Sequence, residues 1–174
     1  RLRSAEGLQR LGKSLWWAAY DGDLQTVKQW VEVHHANVNE GNKEDRGSTP
    51  LYAAAALDRL TVVRYLVERP GVNVNQARTD DGSTPLFSSA CQGHTDIVRC
   101  LVERPGVDVN QATTDQGIAP LMAAVDQGHL DIVRCLIQSG RANIDHTAHD
   151  GSNALFDACY SNHAEICFGK HTEI

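Results

Sequence analysis

The feature that most restricts the fold of this chain is a segment of about 35 residues that is repeated several times. Its fullest copy is residues 81–102, and related copies begin near Gly47 and Gly117. Leucines at equivalent positions mark the register and are separated by 36, 35, 35 and 34 residues. A period in this range indicates a repeat architecture, in which each unit buries its apolar face against its neighbours. The leucines in register are Leu15, Leu51, Leu86, Leu121 and Leu155.

Each copy predicts two short helices and an extended finger. Thr84 and Pro85 favour a helix start, because the Thr hydroxyl can accept from an unpaired backbone N–H and a first-turn proline has no N–H to lose. The first helix is predicted over 86–92 and ends at Gly93. A second helix is predicted over 95–102, since its apolar residues fall on one face at helical spacing. The residues that follow alternate and carry turn-forming side chains, which favours a short finger leading to the next copy.

This unit resembles the ankyrin repeat, whose core reads G-x-T-P-L-H-x-A-A-x-x-G-H-x-x-I-V-x-x-L-L-x-x-G-A-D-V-N. The resemblance covers roughly Ser14 to Ile166. It implies an all-α solenoid of about five helix-turn-helix units joined by β-hairpin-like fingers. We place the units at about 14–44, 45–79, 80–114, 115–148 and 149–174, with residues 1–13 as an N-terminal lead-in or cap. The matching positions in the third unit are Gly82-Ser83-Thr84-Pro85-Leu86, Gly93-His94, Ile97-Val98, Leu101-Val102 and Gly106-Val107-Asp108-Val109-Asn110.

The chain departs from that pattern in three ways. The histidine after T-P-L is replaced by a large apolar or aromatic residue in every unit, which implies that the family's hydrogen bonds between neighbours are lost and an apolar ladder replaces them. The second unit has Asp58-Arg59 in place of Gly-His, so we expect an irregular turn between its helices. The first and last units lack Thr-Pro and are expected to act as caps. The residues in the ladder are Trp16, Tyr52, Phe87, Met122 and Phe156.

Composition excludes several classes of protein. No run approaches the roughly 20 apolar residues of a transmembrane helix, and the start of the chain has neither Met nor the apolar stretch of a secretory signal. We therefore expect a piece of a longer protein with no membrane association. The five cysteines follow the repeat rather than a pairing pattern, which predicts reduced thiols and a cytoplasmic or nuclear location.

The distribution of charge points to one face of the solenoid. The formal charge is −6, but residues 1–13 carry +3, so the remainder carries −9. The acids are concentrated in the fingers and in the turn after the first helix. The family resemblance implies that fingers and first helices line the concave face, which would then be acidic and poorly suited to nucleic acid. No phosphate-binding loop, nucleophile elbow or zinc-protease motif is present, so neither catalysis nor a cofactor is predicted.

We therefore predict a non-catalytic protein-protein interaction module, monomeric, whose acidic concave surface binds a basic or mixed-charge protein or peptide. The alternative is a structural spacer or capping array within a larger protein that has its binding site elsewhere. By the resemblance, Leu57, Ile118 and Tyr160 are candidate apolar anchors. The full set of expected partner-binding residues is Asp45, Arg46, Ser48, Ala56, Leu57, Asp80, Asp81, Ser83, Cys91, Gln92, Asp115, Gln116, Ile118, Asp126, Gln127, His149, Asp150, Ser152, Tyr160 and Ser161.

A metal or redox site near the C-terminus is a less favoured alternative. Cys159, His163, Cys167 and His171 recur at intervals of four residues, and Cys and His together can bind zinc. The repeat register places His163 in the turn between two helices, however, so the four side chains do not share one face.

Three further groups of residues have a structural and a functional interpretation. Adjacent Trp16 and Trp17 could stack on a ligand, but a terminal unit covering its core is favoured. Asn75 and Asn110 occupy a position that an asparaginyl hydroxylase can modify in the family, although a role in the turn is favoured. The histidines of the fingers are assigned to solvent: His34, His35, His146 and His149.

Overall fold

The computed structural model describes residues 14–160, and within them the chain forms nine α-helices. Each of the first four units contributes a helix pair, and the fifth contributes its first helix. A π-helical turn, Gln29–Val33, extends α2, and a 3-10 turn, Lys43–Asp45, precedes α3. The helices are α1 Leu15–Asp21, α2 Leu24–Lys28, α3 Pro50–Ala56, α4 Leu60–Leu66, α5 Pro85–Gln92, α6 Thr95–Val102, α7 Pro120–Asp126, α8 Leu130–Gln138 and α9 Ala154–Tyr160.

The predicted helix starts are observed where Thr-Pro occurs. The hydroxyls of Thr49 and Thr84 accept from the backbone N–H three residues ahead, both at 3.1 Å. Asn153 plays the same part with its side-chain oxygen at α9. Ala119 has no such group, and α7 begins at Pro120 without a side-chain cap. Each of these four helices therefore begins at a proline, after a capping hydroxyl or amide group, or at both, and this gives them the same register.

The helices form two rows, with the core between them. Helices α1, α3, α5, α7 and α9 pack side by side in one row, while α2, α4, α6 and α8 form the other. Apolar residues of both rows meet between them, and Leu66, Ile97 and Leu136 are fully buried there. Such a core is shared between neighbouring units rather than enclosed in any one of them. The solenoid predicted from the repeat is confirmed.

The fingers are turns rather than strands in the described part of the chain. Isolated bridges join Asn42 to Ser48 and Thr147 to Asn153. In the two fingers between, backbone N–H groups of Arg78 and Thr113 donate to the carbonyls of Ser83 and Ile118. Gly82 has a φ of +73° at the tip of the third finger, and a Cβ there would lie 2.6 Å from Thr114 Cγ2. Glycine is therefore required both by backbone conformation and by the close approach of the next finger.

Asparagine side chains tie each unit to the next below the fingers. Asn75 donates from Nδ2 to the carbonyl of Gly106 at 2.7 Å and accepts from the N–H of Asp108 at 2.9 Å. Asn39 and Asn110 make the equivalent pair of bonds one unit before and one unit after. Each amide thus satisfies two backbone groups of the following unit. The sequence favoured a role in the turn for Asn75 and Asn110, whereas their side chains join neighbouring units.

The C-terminal end of the described chain has an open apolar side. Four of the five leucines in register are buried, but Leu155 is 62% exposed. Ile137 and Ile144 are also exposed and line a small apolar hollow beside it. Leu155 therefore departs from the core position that the register predicts.

Within residues 14–160, no helix is long and apolar enough to cross a membrane. Cys91, Cys100 and Cys135 are free thiols.

Candidate partner-binding surface

A cavity of about 590 Å³ opens between α5, α7, α9 and the two fingers that precede α7 and α9. We call it the acidic cavity. Three units contribute to it, so no single repeat could form it alone. It brings together nine of the residues predicted to face a partner, which are Cys91, Asp115, Gln116, Ile118, Asp126, Gln127, His149, Asp150 and Ser152.

The acidic cavity combines an apolar floor with carboxylates. Phe87, Ile118 and Met122 supply the apolar lining. Four aspartates share the lining with them: Asp115, Asp126, Asp150 and Asp157. Asp157 was not among the residues predicted to bind a partner. It is charged, whereas the residues at the same position of the other four units are not. The repeat register could have identified it, because Asp157 aligns with Ala123 and both residues line the cavity.

Asp157 is a carboxyl group of this cavity whose pKa is raised. Partial burial raises the pKa of its carboxyl group, and the neighbouring charges of Asp126 and Asp150 raise it further. Among the described residues, neither Asp115, Asp150 nor Asp157 lies in an ion pair with Lys, Arg or His. The charges of Asp115, Asp150 and Asp157 are therefore not neutralised by ion pairs with basic side chains of residues 14–160.

In the third finger, by contrast, the carboxylate of Asp80 is neutralised by basic side chains. Asp80 forms ion pairs with Arg46 at 3.2 Å and with Arg78 at 2.9 Å. Desolvation opposes the shift, but backbone N–H groups and the charge of Arg78 lower the pKa of Asp80 overall. The surface formed by the fingers and the first-helix row is thus not uniformly acidic, because two arginines neutralise Asp80.

A chain of hydrogen bonds connects the second unit to the third in this middle part. Arg78 donates to the hydroxyl oxygen of Tyr52 at 3.5 Å, and Tyr52 lies 3.2 Å from Ser83 Oγ. Because Ser83 donates its only hydroxyl hydrogen to Asp81 at 2.7 Å, it must accept from Tyr52. The result is a relay from the second unit to the third.

The same relay occurs one unit earlier. Trp16 Nε1 donates to Ser48 Oγ at 2.8 Å, and Ser48 in turn donates to Asp45. Ser48 and Ser83 are only 1% and 2% exposed. These two serines therefore belong to the packing between units, and their predicted place on an exposed binding surface is wrong.

The relays also correct the expected apolar ladder. Trp16 and Tyr52 keep a polar tip that hydrogen-bonds to the following unit. Phe87 has no such group, and the position of the partner serine is taken by Ile118. The ladder is therefore polar between the first three units and apolar between the third and fourth, with each ring matched to the residue it meets.

The turns between paired helices are held by a second set of contacts. His94 and His129 place Nε2 at 3.1 Å from the carbonyl oxygens of Ala56 and Cys91. Since a carbonyl only accepts, Nε2 carries the hydrogen in both rings. Arg59 makes the equivalent bond with Nε to Tyr20 at 3.1 Å. The substitution of Asp58-Arg59 for Gly-His therefore preserves the contact between units, with Asp58 at a φ of +58°.

Partly exposed aromatic residues lie on α1, at the N-terminal end of the first-helix row. Trp16 is buried, which agrees with its predicted role as a cap, but Trp17 and Tyr20 are 41% and 39% exposed. The rings of Trp17 and Tyr20 lie 5.3 Å apart and both contact Trp16. The register aligns Trp17 with Asp157 and Tyr20 with Asp126, so both rings occupy the same positions of the repeat as two aspartates of the acidic cavity. The sequence analysis listed no first-unit residue as partner-binding.

The other predicted residues are more scattered. Ala56 and Leu57 are half-buried at the end of α3, and Gln92 is exposed at the end of α5. Tyr160 is exposed at the end of α9, stacked on Phe156 rather than in the acidic cavity. Ser161 lies outside the described residues.

The finger histidines do not all face solvent as predicted. His34 packs against Trp30 with ring centroids 5.2 Å apart, and its Nε2 is buried. His146 contacts the carbonyl of Gly117 at 2.8 Å, and His149 contacts that of Asp115 at 3.0 Å. Both therefore hold the fourth and fifth fingers together.

Within residues 14–160 no group of three His, Cys, Asp or Glu side chains could hold a metal ion. Of the four residues considered for a metal or redox site, Cys159 is exposed, while His163, Cys167 and His171 lie outside the described residues.

Comparison with known proteins agrees with this geometry. The family model described as ankyrin repeats in three copies matches residues 15–113 and 106–168. Alpha-latrocrustotoxin-Lt1a of Latrodectus tredecimguttatus is 46% identical over 61 residues, and alpha-latroinsectotoxin-Lt1a of the same organism is 44% identical over 61 residues. Each match covers 35% of this chain and 4% of the toxin. The paired helices, the inter-unit contacts and the matched span together show that the chain belongs to the ankyrin repeat family.

Proposed function

We propose that this chain is a non-catalytic interaction module that binds a basic or mixed-charge segment of another protein at its concave surface. Ankyrin repeats are generally protein-protein interaction modules. The observation that supports the finer proposal is the acidic cavity of about 590 Å³. It has an apolar floor, and three of its carboxylates, Asp115, Asp150 and Asp157, form no ion pair with basic side chains of residues 14–160.

The cavity suits a long basic side chain. Arginine and lysine carry an apolar stem below a charged head, so the stem can lie on Phe87 and Ile118 while the head approaches the carboxylates. A positive head group beside Asp157 would also relieve its repulsion by Asp126 and Asp150. Charge complementarity of this kind favours encounter and orientation more than raw affinity.

The test compares capture of binding proteins from a lysate by two variants of equal charge. In the cavity variant Asp115, Asp126 and Asp157 become Asn. In the control, three exposed acids of the second-helix row, Asp96, Glu103 and Asp131, become Asn or Gln. We expect partners held by the wild type and the control to be lost from the cavity variant, provided circular dichroism shows equal helicity.

If both variants capture the same proteins as the wild type, the acidic cavity is passive. The structural spacer or capping array is then the better account of the chain. Repeating the capture at several salt concentrations adds a second criterion, because an electrostatic contact with an exposed surface weakens as ionic strength rises.

A further inference from the structure

We propose that the concave surface has two separate anchoring points and binds an extended partner segment that carries an apolar residue at one end and an arginine or lysine at the other. The apolar residue contacts Trp17 and Tyr20, and the basic residue enters the acidic cavity. This inference rests on the proposed function and specifies the chemistry and spacing of the partner.

The N-terminal anchor is the pair of partly exposed rings on α1. Trp16 and Trp30 already cover the core of the first unit, and both are buried. Trp17 and Tyr20 are not needed for that purpose, yet each leaves about two fifths of its surface open. Large, rigid aromatic side chains of this kind bind apolar partner residues at little cost in conformational entropy.

The middle of the concave surface offers no comparable anchor. The position of Tyr20 is occupied by Ala56 in the second unit and Cys91 in the third, both half-buried. Of the two acids of the third finger, Asp80 is paired with Arg46 and Arg78, and Asp81 accepts hydrogen bonds from Ser83. A segment can therefore cross this part along small side chains, past carboxylates that already have partners within the protein.

The C-terminal anchor has the opposite character. At the position of Tyr20 the fourth unit has Asp126, and at the position of Trp17 the fifth unit has Asp157. Both line the acidic cavity. The position of Tyr20 is thus acidic in the fourth unit and aromatic again at Tyr160 in the fifth, while the position of Trp17 becomes acidic only in the fifth. The two carboxylates meet in the acidic cavity, which differs in charge from the pair of rings on α1.

The distance between the anchors sets the length of the segment. Helices packed side by side lie about 8–10 Å apart, so the three steps from α1 to α7 span roughly 25–30 Å. An extended chain advances about 3.3 Å per residue. The apolar and basic residues of the partner should therefore be separated by about eight or nine residues.

The experiment selects binders for the full chain from a displayed library of random 16-residue peptides. We expect selected sequences to combine Arg or Lys with an aromatic or large aliphatic residue at a separation of about eight or nine residues. A synthetic peptide of the selected sequence is then titrated by fluorescence anisotropy. A second peptide with the spacing shortened by four residues serves as its control.

Variants of the protein test the two anchors separately. Trp17→Ala and Tyr20→Ala install residues that occur naturally at the same positions in other units, and Asp126→Asn with Asp157→Asn removes charge from the cavity. We expect each pair to weaken binding by about tenfold, and the shortened peptide to lose one anchor. Val33→Ala and Asp131→Asn, exposed changes in the second-helix row, should leave binding unchanged.

Three outcomes would overturn the proposal. Binding that depends on Asp126 and Asp157 but not on the rings would leave the proposed function intact and remove the second anchor. Binding that depends on neither pair, or a selection that yields no binder, would count against the proposed function as well. Self-association in sedimentation experiments that Trp17→Ala and Tyr20→Ala abolish would assign the rings to a second copy of the chain.

Discussion

Single residues decide how neighbouring units recognise each other. Trp16 and Tyr52 each place one hydrogen-bonding atom against a buried serine of the next unit. Where the ring is Phe87, the serine is replaced by Ile118. Since a buried polar group without a partner is costly, the ring and the residue it meets have to change together. The chemistry of the ladder is therefore specific to each junction.

The relay through Tyr52 can be measured by its effect on stability. We expect Tyr52→Phe and Ser83→Ala each to lower the free energy of unfolding by about 1 kcal/mol, and the double variant to lower it by less than the sum. Tyr65→Phe is the control, because the Tyr65 hydroxyl bonds to Glu32 at an exposed site and should contribute less. Urea unfolding gives all four values. Strict additivity of the two changes would contradict the relay.

Asp157 predicts a pH dependence of stability. Because its folded pKa is raised above the ordinary value of 3.8, the native state loses stability as the pH rises through that folded pKa. Asp157→Asn removes this loss, so we expect the variant to be more stable than the wild type at pH 7 by a few tenths of a kcal/mol. The difference should vanish below about pH 3.8. Thermal unfolding across this range checks the sign, and a variant less stable at pH 7 would refute it.

At the scale of the element, the fingers depend on how closely successive turns approach. Gly82 and Gly106 have similar backbone conformations, with φ of +73° and +83°. A Cβ on Gly82 would lie 2.6 Å from Thr114, whereas one on Gly106 would meet nothing within 4 Å. Comparing substitutions at the two glycines therefore separates the free-energy cost of a left-handed backbone from that of crowding between fingers.

Substituting the two glycines measures these costs. Gly106→Ala should lower the free energy of unfolding by about 1 kcal/mol, which is the cost of the backbone conformation alone. Gly82→Ala should lower it by about 1–3 kcal/mol more, since the added methyl group also collides with the next finger. Urea unfolding of both variants provides the comparison. Equal losses would show that the fingers move apart without cost.

At the scale of the whole molecule, stability depends on coupling between units. Asn75 connects the second unit to the third through both of its amide groups. In an array of this kind the free energy of unfolding is close to a sum of unit terms and junction terms. A change at Asn75 should therefore act on one junction and not on the interior of either unit.

Asn75→Ala tests this coupling. We expect a loss of about 1–3 kcal/mol, because two backbone groups lose their partner, together with faster amide hydrogen exchange at Asp108. Asn73→Ala is the matched control, since the Asn73 side chain accepts only a local bond from the N–H of Asn75. A similar loss in both variants would indicate that the turn, rather than the junction, carries the effect.

Much of this architecture could be predicted from the sequence, because the pattern of Thr-Pro, glycine and apolar residues repeats with a fixed period. The same pattern placed Asp115, Asp126 and Asp150 on one face. It could not show that Ser48 and Ser83 are buried, since that depends on the ring of the preceding unit. Nor could it show that Asp80 is neutralised, because Arg46 and Arg78 reach it only when two fingers lie side by side.

Because each ring of the ladder meets a particular residue of the next unit, the gain or loss of a whole unit would change these contacts. Deleting residues 80–114 would join the second unit directly to the fourth and preserve the 35-residue period. The new junction, however, would set the hydroxyl of Tyr52 against Ile118 in place of Ser83. Although every unit has the same fold, the copies are not interchangeable, because the new junction would lose the hydrogen bond between ring and serine that the original junction has.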